Sequence, residues 1–211
     1  MMRIDLLHFS PKDPDEYIAT IMRRTRDLSA IEDIRNSLDE KEGWTERLVR
    51  GARIWGHYDV FEHVVYWFSV EGVSRALTHQ LVRHRLASYS QLSGRLKNIE
   101  DAYVTPQLEY VSDENKRREL LAAFERIYRQ QFKDYEMLVS QGVAIEDARY
   151  ILPNGQVTAI MMTVNARSLM HILRMRLDPA AQWEIREMAE RMLALVRPTA
   201  PILWEKIPED I

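Results

Sequence analysis

The 211-residue chain contains no cysteine. Disulfides, thiolate zinc sites, iron–sulfur clusters and a cysteine nucleophile are thereby excluded. No run of 18 apolar residues is present, so the sequence predicts no membrane span. The opening Met1-Met2-Arg3-Ile4-Asp5 reaches an acid at once and lacks a signal-peptide core. Together these absences predict a cytoplasmic protein. There is no Gly/Ser linker, low-complexity tract or repeat, and nothing marks a boundary, so one domain spanning 1–211 is expected. Hydrophobic residues make up 46% and charged residues 29% of the chain. That is ordinary for a globular protein, and a chain of this size buries roughly 70% of its unfolded surface without staples.

Charge is unevenly placed. The formal net charge is −3. Residues 71–98 nevertheless carry Arg75, Arg83, Arg85, Arg95 and Lys97 against the single acid Glu71, and residues 164–177 carry Arg167, Arg174 and Arg176 against none. Two short basic islands on an acidic chain suit a small phosphate-bearing ligand better than a nucleic-acid duplex, which calls for a broad basic face. Solvated helix faces that never meet would give the same count.

The pattern of elements is α+β, with few strands in a mostly antiparallel or mixed sheet and much helix. Ile4–Phe9 reads as a strand. Asp13 caps a helix with Pro14 at its first position, running to about Asp27. Helices follow near Ile31–Asp39 and Thr45–Trp55. Phe61–Val70 is aromatic and β-branched, a strand interrupted at Gly72, and Val73–Arg85 is a helix. Residues 86–110 read mostly as loop. Ser112-Asp113-Glu114 opens the longest helix, ending before Gly142. A short helical piece over Asp147–Leu152 is stopped by Pro153. Gln156–Val164 is a strand, Asn165–Leu177 a helix, and Asp178-Pro179 caps a last helix reaching about Val196.

The densest polar stretch is Gln80-Leu81-Val82-Arg83-His84-Arg85-Leu86-Ala87-Ser88-Tyr89-Ser90-Gln91-Leu92-Ser93-Gly94-Arg95. On a helix, Gln80, Arg83 and His84 fall within an arc of about 100° beside a core face of Val73, Leu77 and Leu81. Capping of the helix dipole explains one arginine. It does not explain the hydroxyls, amides and Arg95 beyond, which can donate to phosphate or a heterocycle edge. His79 and His84 are five apart, off-face for a metal pair, and no metal site is expected. Ser93 has no His/Asp relay at a recognisable spacing, so it reads as a binding residue rather than a nucleophile. Trp183 and Trp204 read as core or interface residues.

Arg83-His84-Arg85, then seven residues, then Ser93 resembles the signature of the flavin-dependent thymidylate synthases. Gly56-His57-Tyr58-Asp59-Val60-Phe61-Glu62-His63, Gly72-Val73-Ser74-Arg75-Ala76, Ala148-Arg149 with Leu152-Pro153, Asn165-Ala166-Arg167-Ser168-Leu169 and Ala181-Gln182-Trp183-Glu184-Ile185-Arg186 match that family in order and approximate spacing. The resemblance covers about residues 1 to 205. It implies an α+β domain with a twisted sheet and long flanking helices, assembled as a homotetramer whose active sites combine residues of several subunits. The implied reaction methylates dUMP to dTMP, with methylenetetrahydrofolate as carbon donor and NADPH reducing a bound FAD. Carried over residue by residue, FAD contacts fall on His57, Asp59, Arg83, His84, Arg85, Gln91, Asn165, Arg167 and His171. The dUMP contacts fall on Gln80, Arg83, Gln91, Ser93, Gly94, Arg95, Arg149 and Arg176. Arg176 is the implied catalytic residue, helping to ionise N3 of the uracil.

The chemistry agrees with parts of this. Guanidinium forks bind phosphate bidentately, and an arginine stays charged beside an ionising pyrimidine. On the Asn165–Leu177 helix, Arg167, His171 and Arg174 form one stripe, and Asn165, Leu169, Ile172 and Arg176 another; the two stripes would serve two ligands. Three residues depart from the family pattern. Leu96 replaces a frequent Tyr, Asp59 replaces a Ser or Thr and would repel phosphate, and Gln91 replaces a frequent Glu and cannot act as a base. Two other functions fit less of the pattern: a family member with flavin but no dUMP methylation, and a nucleic-acid-binding module. The unrelated route to dTMP adds a cysteine thiolate to the uracil ring, and this chain has no thiol.

Overall fold

Strand β2 (Val65–Ser74) is the apolar centre of the sheet, with Tyr66, Phe68, Val70 and Val73 all fully buried. Four strands, β1 (Arg3–Ser10), β2, β3 (Ala87–Gln91) and β4 (Val157–Asn165), form an open antiparallel sheet in the order β1-β2-β4-β3. The α+β expectation therefore holds. The computed structural model describes residues 2–94 and 102–207; Arg95 and Leu96, both singled out in the sequence, lie outside the described residues.

Eight helices are present among the described residues: α1 (Pro14–Arg24), α2 (Ile31–Asp39), α3 (Trp44–Ile54), α4 (Arg75–Leu81), α5 (Glu114–Ser140), α6 (Ile145–Ala148), α7 (Ala166–Arg176) and α8 (Trp183–Val196). Their contacts resolve two compact units that alternate along the chain. The first comprises Met1–Arg3, Val70–Arg83 and Ser90–Ile160; the second comprises Ile4–Ser69, His84–Tyr89 and Met161–Ile211. In the first unit, Leu77 and Leu81 of α4 are fully buried and Phe132 and Tyr135 anchor α5. The 27 residues of α5 make a rod of about 40 Å. The Asp113 side chain caps it by accepting from Asn115 N and Lys116 N, and Gly142 at φ +86° ends it in a conformation that side chains resist. In the second unit, Trp204 is fully buried and donates from Nε1 to Tyr66 Oη at 3.0 Å, which makes it a core residue. Asp15 clasps the C-terminal turn, accepting from Ile202 N and Leu203 N, each at 3.0 Å.

Several boundaries differ from the sequence expectation. The strand predicted over Phe61–Val70 starts only at Val65, because Tyr58–His63 is a 3-10 turn in which adjacent Val60 and Phe61 are both buried, a pattern incompatible with strand alternation. That strand does not stop at Gly72. It passes through Gly72 at φ +66° and ends at Ser74, whose Oγ accepts from Leu77 N at 3.0 Å and starts α4 there. The helix then ends at Leu81, so Arg83 and His84 lie beyond it and share no helical arc with Gln80. Residues 87–91 form the edge strand β3 instead of loop; their hydroxyls mask the pattern because an edge strand pairs through its backbone. Gln182, rather than Asp178-Pro179, caps α8 by accepting from Glu184 N and Ile185 N. Asp13 precedes Pro14 as expected but makes no side-chain cap.

Candidate active site

In the first unit, the start of α4 is tied to the segment before β4. Arg75 N donates to Gln156 O at 3.1 Å and Ala76 N to Asn154 O at 2.9 Å. The Arg75 side chain follows the same route, with Nε donating to Oε1 of buried Gln156 at 3.2 Å. Arg149, just past α6, donates from Nε to Glu146 O at 3.1 Å. The two guanidiniums converge on Gly94. A Cβ built there would stand 3.2 Å from Arg75 Nη2 and 3.5 Å from Arg149 Nη1, so a side chain at this position would press on the Arg75 guanidinium. Around them lies a cleft of about 470 Å³ lined by Arg75, His79, Gly94, Arg149, Tyr150 and Asn154 among others, with no carboxylate among the described residues of its lining. Burial, and then the charge of Arg149, push the Arg75 pKa down. Two cations held together against such a cost make an anion site.

The other nucleotide candidates of this unit are placed as follows. Gln91 donates from Nε2 to Thr78 Oγ1 at 2.9 Å and to Thr158 Oγ1 at 3.3 Å. Its amide nitrogen is thus committed, and Oε1 is what it can offer a ligand. Gln80 is half-buried, with a long 3.5 Å contact to Ala76 O, while Arg83 and Ser93 are exposed.

In the second unit, His84 is the centre of a polar cluster. Arg176 Nε donates to His84 Nε2 at 3.0 Å, and the His84 and His171 rings meet edge-on at 5.9 Å. Tyr89 Oη holds the chain there, donating to His84 O at 3.0 Å, and burial raises the Tyr89 pKa to about 12. Burial, then the charges of Arg176 and His171, lower the His84 pKa to about 4. His84 is therefore neutral at pH 7. On α7, Leu169 and Ile172 are core, and His84 touches His171 and Arg176, one residue from each anticipated stripe.

The remaining flavin candidates of this unit lie near the ends of α7 and β2. Asn165 caps α7, its Oδ1 accepting from Ser168 N at 2.8 Å. Arg167 is exposed and pairs with Glu62 at 2.5 Å. His57 is half-buried with its ring 6.5 Å from that of Trp55, and Asp59 and Arg85 are exposed. Sequence reasoning missed Arg75, Gln156, Glu62 and Tyr89. For Arg75 there was a signal: a cation at a helix start opposes the helix dipole and needs another reason to be there. The others become visible only through contacts across the fold.

Residues 5–202 match the family Thymidylate synthase complementing protein. The chain is 36% identical over 206 residues to a flavin-dependent thymidylate synthase of Sulfurisphaera tokodaii, covering 98% of this chain and 77% of that protein. It is 43% identical over 167 residues to the one of Saccharolobus solfataricus, covering 79% and 61%, and 39% identical over 204 residues to the one of Geobacter sulfurreducens, covering 96% and 85%. Its fold is similar to that of the UMP/dUMP methylase PolB of Streptomyces cacaoi, solved with 5-Br dUMP, with a TM-score of 0.81 and 26% identity over 97% of this chain and 94% of that one. The ordered motifs, the fold and these matches agree: the chain belongs to the thymidylate synthase complementing protein family.

Proposed function

We propose that this protein methylates dUMP to dTMP as a flavin-dependent thymidylate synthase, with FAD as cofactor and methylenetetrahydrofolate and NADPH as co-substrates. The observation that carries the reading is the cleft at Gly94, where Arg75 and Arg149 converge. It suits a phosphate monoester, the anionic end of dUMP. Gln80, Arg83, Gln91, Ser93, Gly94 and Arg95 would complete the nucleotide set, and Arg176 would bear on the pyrimidine. An arginine there keeps its charge throughout and favours the anionic form of N3.

The donor set also suits a flavin dinucleotide. Exposed Arg167 and His171 offer cationic and hydrogen-bonding groups to phosphate, and Arg83, Arg85, Gln91, Asn165 and His57 add donors and acceptors. His84 can contribute a donor only, since its Nε2 is an acceptor in use and its proton must lie on Nδ1. Asp59 is the poor fit, an exposed carboxylate toward an anion. FAD, when bound, supplies reducing equivalents; the chain's own residues bind, orient and hold charge. Assembly as a homotetramer would bring residues of several subunits to each site.

The test is spectroscopic and chemical. Purified or FAD-reconstituted protein is expected to show flavin absorbance that bleaches with NADPH, and to form dTMP from dUMP and methylenetetrahydrofolate. Bleaching without dTMP would leave a flavoprotein of other activity; no flavin uptake would overturn the reading.

A further inference from the structure

We propose that neutral His84 is the positioning residue for Arg176, its Nε2 accepting from Arg176 Nε and so setting the plane of the guanidinium toward the pyrimidine. The role of Arg176 at the pyrimidine rests on the function proposed above; its orientation by His84 rests on geometry. A guanidinium is planar, and its Nε–H lies in that plane. A 3.0 Å bond from Nε to a fixed acceptor therefore fixes one direction in that plane, and the covalent tether through Cδ limits rotation about it. Both partners are held. The backbone of Arg176 sits on the last turn of α7, which Leu169, Ile172 and Leu173 bury in the core. His84 lies beyond the end of α4, where no helix restrains it, and Tyr89 Oη restrains it there through its carbonyl. The edge of His171 closes one side of the ring.

The choice of acceptor has a physical reason. Arginine only donates, so Nε2 must carry its lone pair and the ring must be the Nδ1–H tautomer. A carboxylate would hold the same Nε–H more tightly, but its negative charge would offset the guanidinium. A neutral imidazole orients the cation without itself setting a negative charge beside it, which suits an anion forming on the heterocycle.

Three variants and one spectrum test this. With turnover measured per bound flavin at saturating dUMP, His84→Ala is expected to lower kcat by about 10- to 100-fold, the scale of a misplaced catalytic group. His84→Gln, a neutral acceptor, should recover much of that loss. His84→Glu should not, because it orients the arginine but cancels its charge; a merely structural role would not separate these two. Independently, nitrogen NMR at pH 7 should show His84 unprotonated at Nε2, with an Arg176 Nε–H protected from exchange in wild type and His84→Gln and unprotected in His84→Ala. A proton on Nε2, unchanged Arg176 protection in His84→Ala, or wild-type kcat in His84→Ala would overturn the proposal. If wild type forms no dTMP, the functional reading falls alone, and the exchange data still decide whether His84 orients Arg176.

Discussion

Arg75→Ala is expected to weaken dUMP binding while costing the free protein less stability than the loss of a charged hydrogen bond would by itself. The second half is the unusual part, and the cleft geometry supplies it. The variant loses the charged Arg75 Nε bond to Oε1 of buried Gln156, worth about 1.5–3 kcal/mol. It also removes a repulsion. Arg75 Nη2 and Arg149 Nη1 both reach the same point at Gly94, so they stand within about 7 Å of each other. At an effective dielectric between 20 and 80 that is about 0.6–2.4 kcal/mol, for a pair of which Arg75 is half-buried. The relieved repulsion offsets part of the lost bond. Bound phosphate reverses the sign of the arrangement, because an anion between two cations is attracted by both. Losing one charged donor should then cost about 1.5–3 kcal/mol, or roughly 10- to 100-fold in Kd. Titration calorimetry with dUMP, alongside thermal melts of the free protein, measures both halves. Deoxyuridine, which has no phosphate, should bind Arg75→Ala and wild type alike, and Arg75→Lys should fall between because it keeps the charge but not the fork. A dUMP Kd within twofold of wild type, or an equal loss of deoxyuridine affinity, would refute the assignment of this cleft to phosphate.

Acid should destabilise the protein through His84. Its folded pKa of about 4 lies below the ordinary 6.5, so between those values the unfolded chain binds more protons and stability falls as pH falls. Discounted for the half-exposed ring, the loss across that window is about 1–2 kcal/mol, and urea unfolding of wild type and His84→Gln from pH 7 to 4 should show the variant less affected. Tyr66→Phe removes the acceptor of buried Trp204 Nε1 and should cost about 1–3 kcal/mol in chemical denaturation. Asp15→Asn leaves one oxygen where two now accept from Ile202 N and Leu203 N; hydrogen exchange at those two amides should speed up before the global melting point moves by more than a few degrees. Gly94→Ala places a methyl 3.2 Å from Arg75 Nη2 and should raise the dUMP KM with little change in flavin content.

Long periodic segments were legible in the sequence because their signals are local. The amphipathic run from Glu114, with its Asp113 cap and its stop at Gly142, became α5 within a residue or two of expectation. The α2 helix over Ile31–Asp39 matched its expected ends. Elements stabilised by distant partners were misjudged. β3 carries no apolar alternation and exists because Ala87–Gln91 found a sheet edge. Gly72 looked like a break, yet a strand passes through it. Met161 and Met175 are exposed while Met162 and Met170 are buried, since a methionine's position follows the face it lands on rather than its hydrophobicity.

The candidate site divides along the same line. The amino-acid sequence by itself determined the absence of a thiol, the order of the Arg-His-Arg, Ala-Arg and Asn-Ala-Arg blocks, and hence the family. Those are properties of residue identity and spacing. Only the tertiary structure decided which cations meet. Arg75 and Arg149 converge on Gly94 through the packing of one unit, and Arg176 finds His84 across 92 residues of chain. Such encounters depend on how helices and strands close on one another, and their energies, repulsion between two guanidiniums or the neutrality of one imidazole, do not exist until they do.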